Sequence, residues 1–324
     1  MRRRLGLMAM AAASLMAMAM HAAVAAQGGQ QAPAIEKARV ALTFDDLPAH
    51  GPLPPGMTRV DVATSIIEAL QARKAPPTYG FINARQLESN PGDIDVLRAW
   101  RAAGFPLGNH AYSHMDLHAN TAAAFETDVL ANETTLESLM GNRNWRWFRY
   151  PYLREGDTLE KYKAVREMLV KHGYRTAQVT LDFSDYAYNA PYVRCLAKND
   201  EESLAWLKQS YLDRAAASLT RGQENARAIF GRDISHVLLL HIGSFETVMF
   251  PRLLELLEAK GFALTTLEEA QADKAYDAVP VRESNFSGTL LNQMRQPRPA
   301  ASPAGQTPPP ADDVFAKLTA LCAG

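Results

Sequence analysis

The chain has 324 residues, 47% of them hydrophobic, and its 34 basic and 35 acidic side chains give a net charge of −1. This near balance, without a basic tract after the arginines at positions 2–4, argues against a nucleic-acid partner. The length and apolar content are sufficient for one large α/β domain or two small ones.

The N-terminal segment has the pattern of a secretory signal peptide. Three arginines at positions 2–4 precede an apolar, alanine- and methionine-rich run that ends in the small residues AVAA at position 26. We expect cleavage after Ala25 or Ala26, and hence a periplasmic or secreted protein without stable membrane insertion. The alternative is an uncleaved anchor, because the run is nearly long enough to span a bilayer. Removal of residues 1–26 would leave a net charge of about −4.

Segments with strand character alternate with segments of helical periodicity along most of the remaining chain. The strand candidates are 39–44, 78–83, 105–110, 145–150, 174–181, 236–242 and 262–267. The helical stretches lie near 60–73, 91–103, 120–140, 158–172 and 247–260. Regular alternation of this kind predicts an α/β fold with a mainly parallel sheet, either open or closed into a barrel.

The alternation breaks once, at residues 186–235, which carry helical periodicity and no strand. This segment predicts a helical insertion between the fifth and sixth strands. The remaining divisions are an N-terminal linker at 27–38, an α/β barrel domain at 39–275, and a C-terminal extension at 276–324 with a Pro/Ala-rich linker at 295–312. The amphipathic stretch VFAKLTALC near the C-terminus is expected to dock back on the body.

The sequence contains two cysteines, Cys195 and Cys322. Export would allow them to pair, which would tie the C-terminal tail to the body of the protein. Two free buried thiols are the alternative that the cysteine count leaves open.

Polar residues that can carry chemistry follow five of the predicted strands at their C-terminal ends. They are Asp45 and Asp46, His110 and His114, Arg149, Asp182 and Asp185, and His241. Taken alone, an Asp pair after a strand is usually part of a solvated turn. In parallel α/β barrels, however, the active site is built from the loops at these strand ends. The set as a whole therefore predicts one shared site.

The segment GNHAYSH places His110 and His114 four residues apart. On a helix this spacing puts two imidazoles on one face, about 5–6 Å apart, which suits a metal ion. The glutamate of a His-Glu-x-x-His protease helix is absent from this segment, which excludes a metalloprotease of that kind. His50, in the loop after Asp46, is expected to be solvated, with substrate contact as the alternative.

The motifs TFDD, GNHAYSH, RYPY, DFSDY and LLLHIG occur in the order found in the polysaccharide deacetylase family of metal-dependent carbohydrate esterases. The chain resembles this family from about residue 39 to residue 270. The resemblance implies an irregular, incomplete (β/α)7-type barrel. It also implies that Asp46, His110 and His114 hold a divalent metal, usually Zn2+, with Co2+, Mn2+ or Ni2+ as other candidates.

The same resemblance assigns the remaining roles. It implies that Asp45 is the general base, oriented by Arg149, and that His241 is the general acid, tuned by Asp185. The substrate-binding residues that it implies are Pro151, Tyr152 through its backbone N–H, Leu239 in the pocket for the acetyl methyl, and Tyr186 as an aromatic wall.

Two positions depart from the family pattern. Ala111 stands where the family usually has Ser or Thr, which removes a hydrogen bond from the loop but no metal ligand. Tyr186 stands where the family often has Trp, which keeps an aromatic wall of different shape. The second change bears on the choice of substrate rather than on the chemistry.

The predicted function is removal of acetyl groups from N-acetylated amino sugars of a poly- or oligosaccharide. Two neutral imidazoles and a carboxylate suit zinc and leave positions open for water and substrate. A second carboxylate beside them, Asp45, would take the proton from the attacking water. The alternatives are an esterase that cleaves O-acetyl or small aryl esters at the same site, and a catalytically silent carbohydrate-binding relative.

Overall fold

The computed structural model describes residues 38–278, 288–295 and 313–323. The predicted signal peptide, the N-terminal linker before Ala38, and the Pro/Ala-rich linker after Arg295 lie outside the described residues. Within the described ranges, no helix is both long enough and apolar enough to cross a bilayer.

In the described part of the chain, seven parallel strands form one sheet that curls into an incomplete barrel. The strands are β1 (Ala38–Leu47), β2 (Tyr79–Ile82), β3 (Leu107–Asn109), β4 (Trp147–Phe148), β5 (Arg175–Thr176), β6 (His236–His241) and β7 (Phe262–Thr265). Their order is β5-β4-β3-β2-β1-β6, and β7 pairs with the first half of β1. The predicted incomplete (β/α) barrel is therefore confirmed.

Helices connect the strands and form the outer layer. They are α1 (Arg59–Ala72), α2 (Gln86–Ser89), α3 (Ile94–Ala102), α4 (Ala122–Ala131), α5 (Glu133–Met140), α6 (Leu159–Lys171), α7 (Asn189–Ala197), α8 (Glu201–Phe230), α9 (Glu246–Ala259), α10 (Leu267–Gln271), α11 (Leu290–Arg295) and α12 (Asp313–Ala320). Two predicted stretches differ in detail. The stretch 120–140 divides at Asn132 into α4 and α5, and the stretch 91–103 begins with the 3₁₀ helix Pro91–Asp93.

Local chemistry explains where the main helices begin and end. The Thr58 side chain accepts from the Asp61 N–H, and the Asp61 carboxylate accepts from the Thr58 N–H, which forms a capping box at the start of α1. Asp200 caps the long helix α8 at Ser203, and α8 ends at Gly231, whose φ of 69° lies in the left-handed region. These signals fix the start of α1 and both ends of α8.

Side chains along β1 point alternately to the two faces of the sheet. This alternation separates two hydrophobic cores and determines which face carries the site. Val40, Leu42 and Phe44 belong to the large core between the sheet and the helices, whereas Ala41 belongs to the smaller core inside the barrel. Successive strand residues point to opposite faces, so Asp45 lies on the same face as Ala41. The strands therefore carry apolar residues outward and bring polar residues to the inner face at the barrel rim.

The fifth predicted strand, 174–181, is shorter than expected. Arg175 and Thr176 pair with β4, whereas Leu181 forms a bridge to Leu238 of β6. One short segment contacts two strands that are not neighbours in the sheet, so it cannot keep a continuous ladder with either. The segment between them crosses the gap where the barrel is incomplete.

The predicted helical insertion is confirmed as the 3₁₀ helix Asp185–Tyr188 followed by α7 and α8. The C-terminal helix α12 docks on it, because the Arg194 guanidinium donates to the carbonyl oxygens of Leu318 and Leu321, each at 2.9 Å. Cys195 and Cys322 form a disulfide, which confirms the predicted pairing. The C-terminal segment is thus attached beside the strand-end residues that follow β5.

Candidate active site

The adjacent carboxylates at the end of β1 point to the same place. Asp45 Oδ2 and Asp46 Oδ1 lie 3.6 and 3.5 Å from Nε2 of His110. Neighbouring residues of a regular strand would point to opposite faces. Asp46, however, has a φ of 66°, and the β1–β2 register shifts between Phe44 and Leu47. This local break turns Asp46 back toward the side that Asp45 already faces.

Asp46, His110 and His114 form a cluster with the donor atoms of a metal site. One ligand atom from each lies within 4.8 Å of the others. Nε2 of His114 is 3.4 Å and Nε2 of His110 is 3.5 Å from Asp46 Oδ1. The structure brings together the three residues that the sequence predicted as ligands.

The backbone between the two histidines is irregular. Residues 110–114 form a turn rather than the helix for which the spacing argument holds, with a φ of 60° at Ala111 and of 57° at His114. The two ring centroids are nevertheless 4.9 Å apart. Two left-handed residues, not a helical face, bring the rings together. Ala111 itself is fully buried and keeps a loop hydrogen bond, because its carbonyl accepts from Asn83 Nδ2 at 2.8 Å.

The residues present fit a divalent cation. Nδ1 of His110 lies 2.8 Å from the Arg149 carbonyl, which can only accept, so Nδ1 donates this hydrogen bond. Nε2 is the ring nitrogen that faces Asp46 Oδ1, a buried oxygen without a hydrogen-bond partner among the described residues. A carboxylate oxygen buried in this way is stabilised by a positive charge placed next to it.

The protonation of the other ligands agrees with this. Burial, together with the neighbouring His110, lowers the pKa of His114 to about 4, so its imidazole is neutral near pH 7. Burial alone would raise the pKa of Asp46, but its interactions with His110 and His50 hold that pKa well below the usual range. Neutral imidazole and ionised carboxylate are the forms that bind metal.

Asp45 is held by Arg149 rather than by the cluster. Arg149 Nη1 donates to Asp45 Oδ1 at 3.1 Å and to Oδ2 at 3.2 Å, and both side chains are buried. The rest of the guanidinium is fixed by the Ala177 carbonyl at 2.8 Å and Thr43 Oγ1 at 3.1 Å. Burial lowers the pKa of Arg149, whereas the Asp45 charge opposes this effect and keeps the guanidinium protonated. A base at Asp45 would therefore have a fixed orientation.

Asp185 and His241 form the second half of the site. Asp185 Oδ1 is 2.8 Å from Nδ1 of His241, and Oδ2 accepts the His241 backbone N–H at 2.7 Å. Burial alone would lower the pKa of His241, but the Asp185 carboxylate, with smaller contributions from Asp46 and Asp45, raises it to about 10. His241 is therefore an imidazolium at neutral pH, and it pairs directly across the ladder with Asp45.

A turn before Asp185 aims its carboxylate. Asp182 Oδ1 accepts the Ser184 N–H at 2.7 Å, and Ser184 has a φ of 62°. Asp–x–Ser turns of this kind hydrogen-bond their own backbone two residues on. This turn ends the segment that leaves the barrel after β5 and directs Asp185 toward β6.

We expect Asp185→Asn to shift the alkaline limb of the pH profile. A general acid must be protonated, so activity falls as the pH rises through its pKa. Loss of the Asp185 charge removes the main interaction that raises the pKa of His241, and the limb should move about one to three pH units lower. The measurement is kcat/KM between pH 6 and pH 11 with saturating metal. A limb at the wild-type position would rule out tuning of His241 by Asp185.

The predicted substrate-binding residues lie around this site. Tyr152 and Tyr186 are 53% and 46% exposed, and their rings pack edge-on against His114 and His241 with centroid distances of 4.4 and 5.4 Å. Leu239 is buried on the inner face of β6, and Pro151 is buried in the 3₁₀ helix that follows β4. The two exposed tyrosines thus stand on the metal-cluster side and the His241 side of the site.

The expectation for His50 was wrong. Its side chain is 18% exposed rather than solvated, and Nδ1 lies 2.8 Å from Asp46 Oδ2. Its ring centroid is 5.0 Å from that of His241. The four-residue spacing from Asp46 was visible in the sequence, but a loop residue without a predicted conformation gives no direction for its side chain.

The fold and the cluster of Asp46, His110 and His114 make this chain an α/β barrel with a polar site at the C-terminal strand ends. Residues 33–177 match the sequence profile of the polysaccharide deacetylase family. A chitin deacetylase of Arthroderma benhamiae is 24% identical over 152 residues, which are 47% of this chain and 36% of that protein. The chain is similar to the polysaccharide deacetylase family over residues 33–177, and the segment matched to the chitin deacetylase spans little more than a third of that relative's length.

A solved structure shares the fold. The chitin deacetylase from Colletotrichum lindemuthianum superposes with a TM-score of 0.50 at 22% identity, over 73% of this chain and 88% of that one. A CE4 family pseudoenzyme from Bacillus anthracis has a TM-score of 0.49 at 17% identity, over 76% of this chain and 66% of that one. The family match ends at residue 177, in the segment after β5, and so does not include Asp185 and His241. The pairing of these two residues is an observation of the structure.

Proposed function

We propose that this protein is an exported, metal-dependent hydrolase that removes acetyl groups from N-acetylated amino sugars of a poly- or oligosaccharide. The proposal rests on three groups of residues that lie together at one rim of the barrel. These are the Asp46–His110–His114 cluster, the Asp45–Arg149 pair and the Asp185–His241 pair. A base, an acid and a cation site are the parts that amide hydrolysis at neutral pH requires.

Asp46, His110 and His114 would hold the cation. When bound, a divalent cation there supplies Lewis acidity toward the acetyl carbonyl and lowers the pKa of water. One carboxylate and two imidazoles, with further positions open, suit Zn2+, and Co2+, Mn2+ or Ni2+ can take the same donors.

The chain's own residues move the protons. Asp45 accepts the proton of the attacking water, and Arg149 keeps its carboxylate oriented. As the carbon–nitrogen bond breaks, imidazolium His241 donates its Nε2 proton to the departing amine, because Nδ1 is engaged by Asp185. The products are acetate and the free amino sugar.

The rim suits an acetylated sugar. The exposed rings of Tyr152 and Tyr186 offer apolar faces on which a pyranose can stack, and the Tyr152 backbone N–H is assigned to the oxyanion. Leu239, which is buried and pairs with Thr43 of β1, supplies an apolar contact for the acetyl methyl. Tyr152 stands beside His114 and Tyr186 beside His241, so the site can contact sugars on both sides. This arrangement suits a chain of sugars better than a single small ester.

Export forms part of the proposal. Residues 1–26 are proposed as the signal peptide, 27–38 as a linker and 39–275 as the catalytic domain. The Cys195–Cys322 disulfide supports an oxidising compartment, such as the periplasm or the cell exterior.

The test is acetate release from N-acetylated chito-oligosaccharides and from an aryl acetate, with metal-loaded protein. We expect turnover of the oligosaccharides, and a loss of about 10²–10⁴-fold in His241→Ala. That loss should be much smaller for the aryl acetate, whose leaving group needs no proton. His172→Ala, outside the site, is the matched control. Release of acetate from the ester alone would indicate an esterase, and no release from either substrate would indicate a silent carbohydrate-binding relative.

A further inference from the structure

The two oxygens of the Asp46 carboxylate have different surroundings. Oδ1 is buried without a hydrogen-bond partner among the described residues, and it faces the Nε2 atoms of His110 and His114. Oδ2 is engaged at 2.8 Å by Nδ1 of His50. One oxygen is thus left for a cation, and the other is held by a side chain outside the ligand set.

We propose that His50 is a positioning residue for the metal carboxylate: its Nδ1–H donates to Oδ2 of Asp46 and keeps Oδ1 turned toward the cation. The inference rests on the metal site of the proposed function. An ionised carboxylate can only accept, so the proton of this hydrogen bond belongs to Nδ1 of His50.

Hydrogen bonds fix the backbone around His50, so the position from which its side chain extends is also fixed. Arg59 donates to the carbonyl oxygens of His50 at 3.1 Å and Gly51 at 2.6 Å. The next carbonyl, that of Pro52, accepts from Asn189 Nδ2 at 2.9 Å. The loop is therefore tied both to α1 and to the helical insertion.

The position of Asp46 explains why such a support is needed. Its φ of 66° is an unfavourable conformation for a non-glycine residue, and it lies where the β1–β2 ladder is interrupted. The strand therefore gives its side chain little support beyond the interruption. Hydrogen bonds to the non-ligating atom of a metal ligand fix its orientation, and their removal typically costs about 10–100-fold in metal affinity.

Two conservative substitutions separate the two ring nitrogens of His50. Asparagine places an amide nitrogen near the position of Nδ1, whereas glutamine places it near the position of Nε2. Nδ1 is the atom that meets Asp46, whereas Nε2 lies 3.4 Å from the Tyr186 carbonyl. If the donor at Nδ1 is what matters, His50→Asn should retain the function and His50→Gln should lose it.

The experiment measures Zn2+ affinity by competition with a chromophoric chelator, for the wild type, His50→Ala, His50→Asn and His50→Gln. We expect His50→Ala and His50→Gln to bind Zn2+ about 10–100-fold more weakly, with His50→Asn close to the wild type. Thermal unfolding of the metal-free proteins checks that all four are folded. Because no turnover is measured, the result does not depend on the substrate.

Three outcomes would overturn the inference. Equal affinities in all four proteins would show that His50 does not position Asp46. Equal weakening in His50→Asn and His50→Gln would show that the donor at Nδ1 is not the cause. A wild-type protein that binds no Zn2+ would remove the metal site itself, and with it the proposed function, which distinguishes that failure from the other two.

Discussion

His110→Ala is expected to abolish both metal binding and acetate release. The substitution removes one of the two imidazoles that face Asp46 Oδ1 and leaves a single histidine and a carboxylate. The loss of affinity should exceed the about 10–100-fold that changes outside the ligand set cost. Metal analysis after dialysis and acetate release with added Zn2+ measure the two effects. Added Zn2+ should also raise the unfolding temperature of the wild type but not that of the variant, since only a folded site binds it.

The structure supplies controls for this prediction. His110 also donates to the buried Arg149 carbonyl, so its removal leaves an acceptor unpaired at a cost of about 1–3 kcal/mol. His114→Ala removes a ligand without that cost, because no hydrogen bond of its ring appears among the described residues. His172→Ala changes a histidine outside the site and should keep full metal content. If His110→Ala and His114→Ala both retained metal at the wild-type level, the assigned ligand set would be refuted.

The fold could be predicted from the sequence because its signals are local. Apolar runs such as that before Asp45 predict buried parallel strands, and helical periodicity predicts the stretch that forms α1. The parallel topology then brings the C-terminal strand ends to one rim of the barrel, which is why the sequence alone predicts that Asp45 and His241 lie together. The two residues are ladder partners in the structure. Neither step required knowledge of a side-chain conformation.

The local geometry of the site could not be predicted in the same way. Asp46, Ala111, His114 and Ser184 have positive φ angles, and none is the glycine that would signal such a conformation. Tertiary contacts stabilise these conformations, so no signal in the sequence marks the turn at 110–114. Strained positions of this kind concentrate at functional sites.

Residues that join distant loops were also missed. Asn189 Oδ1 accepts from Ser244 Oγ at 2.7 Å and from the Phe245 N–H at 3.1 Å, while its Nδ2 donates to the Pro52 carbonyl. One side chain thus ties together the loop after β1, the helical insertion and the loop after β6. Nothing in the sequence around it signals this role, which exists only once the three loops meet.

Asp45→Asn should leave metal binding nearly intact and reduce acetate release by about 10²–10⁴-fold. The amide keeps an oxygen that can accept from Arg149, so the buried guanidinium retains a partner. An amide cannot take a proton from water at neutral pH, so the base is lost while the three ligands remain. Metal content, unfolding temperature and acetate release from chito-oligosaccharides test the prediction together.

This variant separates the two carboxylates that stand side by side in the sequence. Asp95→Asn, at an exposed pair with Arg98, controls for the loss of one negative charge and should behave as the wild type. If Asp45→Asn lost metal along with activity, Asp45 would be part of the cation site rather than the base. If it kept near-normal turnover, the proton would have to leave through another group, and Arg149 would orient a carboxylate without a catalytic role. If Asp45 is the base that Arg149 orients, Asp45→Asn should keep its full metal content and show almost no turnover.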